Sequence, residues 1–264
     1  MRNTYNNGGN TYGGAMADVN HTDVVRERIL QRLIYAEYMP GHTFKLREMV
    51  EDPEFQGMSQ TPIREALLQL VAMDILVGQR GFSVRVPIPS VENLAEVRAI
   101  RTRLEIMAAT NALQEWNPAA IEALERIHAE LLVAKAAGDV NRILRTNVQF
   151  HFSLYGEQRR SYLMTMIRTL WAITGPSIRF LYEEGRPLAI DGRHPHDDVI
   201  EALRTQDGEL LGKAIAEDVS GTGQKILQVL REKVSPEALA VQPFRKMELL
   251  RTRAKQGRRI RQQE

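Results

Sequence analysis

The chain has no cysteine. Disulfides, Cys-ligated zinc and thiol catalysis are therefore excluded, and a reducing compartment is permitted. No apolar run approaches the roughly 18 residues of a membrane span. The first residues lack the basic-then-apolar layout of a signal peptide. The expectation is a cytoplasmic protein with no membrane partner. A strong charge of one sign is missing too, since the net charge is only +2. Residues 21–89 carry eight Lys/Arg against nine Asp/Glu. Bulk charge therefore announces no nucleic-acid partner, and any such reading must rest on where individual basic residues lie.

The 264 residues suffice for two domains and a sizeable core. A hydrophobic content of 43% and a charged content of 26% are ordinary for a soluble globular protein. Residues 1–20 are rich in Asn and Gly and read as a mobile arm. From Arg245 to Glu264 there are eight Lys/Arg and two Glu, so the tail is +6 and the remainder −4. Arg258, Arg259 and Arg261 in that tail could meet phosphate, although charged ends are usually only solvated.

Between these ends the period of the apolar residues changes. Val25, Ile29, Leu33 and Ala36 fall at helical spacing, which predicts a helix over Asp23–Tyr38, stopped by Met39-Pro40-Gly41. A short helix follows at Leu46–Glu51. A third opens at Ser59, a natural N-cap, with Pro62 in its first turn and Ile63, Leu67, Leu70 and Val71 as its buried stripe. Ile75-Leu76-Val77 and Phe82–Val86, around the turn Gly78-Gln79-Arg80-Gly81, read as a two-stranded wing. Three helices and a wing make a winged helix-turn-helix, residues 21–86. Pro87–Ser90 is a stiff linker. Residues 91–234 are all helical, an antiparallel bundle with helices at about 91–115, 119–137, 139–157, 160–184 (interrupted at Gly175-Pro176), 196–206 and 207–233. Residues 235–264 are the basic tail. The fold class is mainly α.

The third helix carries the DNA-binding reading. A helix N-terminus offers unpaired N–H groups to phosphate. Thr61 can donate from that first turn, and Arg64 can reach a guanine edge with two N–H donors. Arg47 lies on the preceding helix, which crosses the backbone in this motif. Gly81, beside Arg80 at the wing tip, permits close approach to a groove. Met39-Pro40-Gly41, Leu46-Arg47-Glu48, Ser59 to Leu67 and Arg80 to Val84 together resemble the GntR superfamily of bacterial transcription regulators. By that resemblance Arg47, Gln60, Thr61, Arg64, Arg80 and Gly81 occupy DNA-contacting positions. Gln60 departs from the family, which usually has Arg there, and Gln favours adenine over guanine.

Residues 91–232 resemble the all-helical FCD ligand-binding domain of the FadR subfamily. Asn147-Val148-Gln149-Phe150-His151 is similar to its Asp-x-x-Phe-His motif, and 147 and 151 are one helical turn apart. His196 opens a segment similar to His-x-x-Ile-x-x-Ala, and Asp218 stands where many members have a third His. The resemblance implies a divalent cation, held here by Asn147, His151, His196 and Asp218. Two imidazoles and a carboxylate suit zinc first, with nickel, manganese or iron as alternatives. Arg101, in a segment similar to Arg-x-x-Leu-Glu, shares the inward face of its helix. A buried Arg needs an anion. That anion is either an effector carboxylate, the favoured reading, or a structural acid of the bundle. Arg160 stands where the family commonly has Asn. Trp171, Phe180, Tyr155 and Tyr162 are candidates for a pocket wall, with core packing the ordinary alternative.

The implied function is a homodimeric, sequence-specific DNA-binding transcription regulator on a short inverted repeat of double-stranded operator DNA. The expected mode is a repressor released by a small organic acid bound near the cation. Two alternatives stand beside it: a metalloenzyme acting on a small substrate in the bundle, and a direct metal sensor. No nucleophile or general base is arranged to favour the enzyme.

Overall fold

A computed structural model describes residues 20–78, 83–156, 161–182 and 193–233. The arm, the wing tip with Arg80 and Gly81, Arg160 and the basic tail lie outside these described residues.

The N-terminal domain is built on α1 (His21–Ile34), α2 (Leu46–Glu51) and α3 (Gln60–Ala72). Asn20 caps α1, its side chain accepting from Thr22 N. The helix ends at Ile34 rather than Tyr38, because Ala36 turns left-handed at φ 55°. Ser59 takes the extended N-cap backbone of α3, but its side chain makes no capping bond. Ile63, Ala66, Leu67 and Leu70 form the buried face of α3 and pack on Val25, Ile29 and Leu33 of α1. Thr22 Oγ1 donates to Glu65 Oε2 at 3.2 Å, and Arg26 Nη1 to Gln69 Oε1 at 2.7 Å, fixing α1 along α3.

The wing holds one strand more than the two expected. β1 (Thr43–Phe44), β2 (Val77–Gly78) and β3 (Val84–Arg85) form an antiparallel sheet in the order β1-β3-β2. Thr43 pairs with Arg85 and Phe44 with Val84. A two-residue strand has no period to read, so β1 is invisible to pattern.

The C-terminal domain is entirely helical among the described residues: α4 (Val91–Ala112), α5 (Pro118–Ala137), α6 (Val140–Leu154), α7 (Tyr162–Ile178), α8 (Pro195–Thr205) and α9 (Gly208–Lys233). Caps mark the joints. Ser90 accepts from Asn93 N, Asn117 from Ala120 N and Asp139 from Arg142 N. Gly138 closes α5 in the left-handed region at φ 68°, where glycine pays no Cβ penalty. Helix α4 packs along α9, α5 along α6, and α8 along both α5 and α9. No described helix is long and apolar enough to cross a membrane.

Helix α7 is not broken at Gly175-Pro176; it runs unbroken to Ile178. The pair serves a close helix crossing instead. A Cβ on Gly175 would lie 2.5 Å from Leu33 O and 2.9 Å from Ile34 O. Only glycine lets α7 meet the C-terminal end of α1 at that distance. An Arg168–Glu27 ion pair joins the same two helices. Apolar residues from Val25 to Leu230 then form one continuous core across the two domains.

Candidate functional site

The first turns of α3 present Gln60, Thr61 and Arg64 to solvent, opposite the buried stripe. Arg47 is also outward on α2, its side chain 90% exposed beside Glu51 at 3.3 Å. These four residues share the outer surface of the helix-turn-helix.

The second site is buried in the bundle. His151 from α6, His196 from α8 and Asp218 from α9 bring one ligand atom each within 4.8 Å of one another. His151 Nε2 lies 3.1 Å from Asp218 Oδ2, and His196 Nε2 lies 3.9 Å from the same oxygen. His196 is 0% exposed, and neither of its ring nitrogens has a hydrogen-bond partner. Its ring stacks on Phe150 with centroids 3.7 Å apart. Burial holds the His196 imidazole well below its usual pKa, so it is a neutral donor at pH 7. Burial works against the charge of Asp218, but the surrounding His151, His196 and His194 rings together outweigh it and hold the carboxyl well below its usual range.

A buried relay fixes the tautomer of His151. Tyr155 Oη donates its one proton to Glu105 Oε2 at 2.7 Å. It must therefore accept from His151 Nδ1, 2.9 Å away. Nδ1 carries the proton, and Nε2 of the neutral ring turns a lone pair toward the Asp218 carboxylate. Two acceptors facing each other at 3.1 Å need a positive charge between them: a proton or a metal ion. Glu105, 0% exposed, is itself paired with Arg101 Nε at 2.6 Å. Arg101 also donates to Thr174 Oγ1 at 2.8 Å and lies 4.0 Å over the Trp171 ring. The structural acid Glu105 thus faces Arg101, which also lines the interior pocket of the bundle.

Two histidines without a family motif stand beside this set. His128 on α5 and His194, the N-cap of α8, form a second group with His196, again within 4.8 Å. His128 Nε2 contacts Asp197 Oδ1 at 3.1 Å, while its Nδ1 has no partner. His194 Nδ1 accepts from His196 N, so Nε2 holds the proton of the neutral ring and faces Lys135 Nζ at 2.7 Å. Burial brings Lys135 down to about 8. Sequence spacing could not reveal this group, because His128 lies far along the chain from His194 and His196 and on another helix.

A pocket opens onto the first set. Asn147, His151 and Asp218 line it together with Arg98, Arg101 and Thr222. Leu94, Trp171, Ile178, Val219 and Ile226 supply the apolar wall. Three of the four residues expected at the cation, His151, His196 and Asp218, come together, and Asn147 lines the same pocket as His151 and Asp218. Trp171 is a wall residue. Tyr155 is buried in the relay, Phe180 packs against the core, and Tyr162 is 89% exposed. Arg98 escaped the sequence reading. The signal was Gly223 inside α9, where the Arg98 side chain lies close to the backbone, since glycine in a helix interior costs about 1 kcal/mol and can mark a close approach.

A winged helix-turn-helix seated on a helical bundle with an interior polar pocket defines a DNA-binding transcription regulator. Residues 96–221 match the FCD domain family. The chain is 29% identical over 205 residues to the HTH-type transcriptional regulator McbR of Escherichia coli (strain K12), covering 77% of this chain and 91% of that protein. It is 28% identical over 164 residues to the "Probable D-xylose utilization operon transcriptional repressor" of Paenarthrobacter nicotinovorans, covering 62% and 71%. The solved structure of E. coli McbR superposes with a TM-score of 0.70 at 27% identity, covering 81% of this chain and 99% of that one. A GntR regulator from Rhodococcus sp. RHA1 has the same fold, with a TM-score of 0.60 at 16% identity over 78% and 97% of the two chains. The FCD match, the McbR relative and the shared fold support a GntR-family transcription regulator with a C-terminal FCD domain. Members of this family regulate transcription; they are not enzymes.

Proposed function

We propose that this regulator is a homodimeric repressor whose grip on an inverted-repeat operator is loosened by a small carboxylate bound near a divalent cation in the FCD domain. The observation that carries the cation is the approach of His151 Nε2 to Asp218 Oδ2 at 3.1 Å beside a buried His196 whose ring nitrogens have no partner. His151, His196 and Asp218 would hold zinc or a similar ion, with Asn147 as a weak oxygen donor or none. Tyr155 and Glu105 behind His151 act as the orienting shell that metal-bound imidazoles need. Three protein ligands leave a coordination position open toward the pocket, which a carboxylate oxygen can take.

The route to the DNA is short. Helix α7 gives Trp171 and Thr174 to the pocket and Gly175 and Arg168 to α1. A ligand that shifts α7 moves α1, and α1 carries α3. A differential affinity of a few kcal/mol between the two placements suffices to release an operator. The test is a gel shift with DNA upstream of the chain's own gene, run on protein stripped with EDTA and on protein reloaded with zinc, each with and without a carboxylate panel. Release by carboxylate only in the zinc-loaded protein supports the proposal. Release by zinc alone would make the cation itself the effector, and identical binding in every lane would overturn both.

A further inference from the structure

We propose that His128, His194 and His196 form a second transition-metal site in the helical domain, separate from the one at His151 and Asp218 and joined to it by the His196 ring. One ligand atom from each of the three histidines lies within 4.8 Å of the other two. The rings come from two helices. His128 stands on α5, His194 is the N-cap of α8, and His196 lies in the first turn of α8. They are 5%, 6% and 0% exposed. Ring centroids are 4.4 Å apart for His194 and His196, 5.0 Å for His128 and His194, and 5.2 Å for His128 and His196. This site does not depend on the effector reading above.

Both ring nitrogens of His196 lack a hydrogen-bond partner. An ion at His151 and Asp218 would occupy Nε2, which is 3.9 Å from Asp218 Oδ2. Nδ1 would still be orphaned, although a metal-bound imidazole ordinarily donates its other N–H to an acceptor. His128 Nδ1 is buried and unpartnered as well. Its Nε2 lies 3.1 Å from Asp197 Oδ1, a carboxylate that takes the ring N–H and leaves the lone pair on Nδ1. Carboxylate, imidazole and ligating nitrogen in that order is the arrangement that orients metal-bound histidines. The lone pair of His194 is on Nδ1, which accepts from His196 N at 3.1 Å. To ligate, Nδ1 releases that N–H, while Nε2 keeps its proton beside Lys135 Nζ at 2.7 Å. Burial lowers the pKa of His128 and brings His194 down to about 4, so both rings are neutral donors at pH 7. When both ions are bound, the His196 ring proton leaves to solvent and the imidazolate bridges them. Three imidazoles suit zinc, nickel or copper, whereas manganese and magnesium prefer oxygen donors.

The test dismantles one set at a time in the full chain, loads it with zinc or nickel, desalts it and counts bound ions by elemental mass spectrometry. His151→Ala/Asp218→Asn removes the first set and should keep one ion per chain on the three histidines. Adding His128→Leu should remove that ion. Asp197→Asn in the same background should weaken binding by about 10–100-fold, and excess manganese should not compete. Circular dichroism checks that each variant is folded. Should the first variant unfold, cobalt(II)-loaded wild type decides: the His128 Nε2 proton, held on Asp197, should give an exchangeable NMR signal shifted by the paramagnetic ion, and His128→Leu should lose it. The proposal is overturned if folded His151→Ala/Asp218→Asn binds no ion, if His128→Leu leaves its uptake unchanged, or if the cobalt-shifted proton is missing. Uptake lost with the first set and untouched by His128→Leu would leave the cation at His151 and Asp218 standing alone. Uptake lost only with His128 would leave the histidine site standing and remove that other cation.

Discussion

His151 and Tyr155, one turn apart on α6, share a 2.9 Å hydrogen bond between Nδ1 and the phenol oxygen. That bond links the candidate cation cluster to the Arg101–Glu105 pair, because the same phenol donates onward to Glu105 at 2.7 Å. Tyr155→Phe keeps the ring and removes the link. Divalent-cation affinity should fall by about 10–100-fold, measured by competition against a chromophoric chelator. An unchanged affinity would show that His151 is oriented by packing alone.

Arg101 neutralises a carboxylate that has no solvent. Arg101→Met should leave Glu105 as an unpaired buried charge and destabilise the fold by about 3–5 kcal/mol. Urea denaturation reads this directly. An effector-only role for Arg101 would instead leave the stability of the ligand-free protein near wild type.

Gly175→Ala tests the crossing between the domains. The new Cβ meets two backbone carbonyls, which cannot rotate away. A loss of about 1–3 kcal/mol is expected, together with a changed operator affinity although no DNA-facing residue is altered. Thermal melts and a gel shift check the two parts separately.

Stability should fall in mild acid. Burial lowers the pKa of His128 and His196, and it brings His194 down to about 4. Below the unfolded-state value near 6.5 the unfolded chain binds more protons than the folded one, so stability rises with pH through this window. The melting temperature of EDTA-treated protein should hold above pH 6.5 and drop steadily toward pH 4. His194→Gln should flatten the slope. A flat wild-type profile would mean these rings are not buried as neutral groups.

The DNA face makes its own prediction. Arg64→Ala should abolish the gel shift at physiological salt. Gln60→Arg should move the preferred base at one operator position from adenine to guanine, with about 1–3 kcal/mol of discrimination. Selection from a randomised operator library reads out that position, and an unchanged preference would remove Gln60 from the base-reading set.

The sequence by itself determined what repeats within one element. The 3.6-residue period placed Ile63, Leu67 and Leu70 inward, and thereby Gln60, Thr61 and Arg64 outward. The same period put Asn147 and His151 on one side of α6, and both reach the pocket. Family motifs added His196 and Asp218, which the fold brings together with His151. Tertiary structure alone decided what depends on how helices cross. It set Glu105 rather than a ligand against Arg101 and threaded Tyr155 between Glu105 and His151. It gathered His128 and His194 beside His196, and it laid Arg98 against Gly223. Local sequence fixes which face of a helix is apolar. Which residues meet across two helices is set by packing at van der Waals distance, where the absence of a single Cβ, as at Gly175 and Gly223, decides the approach.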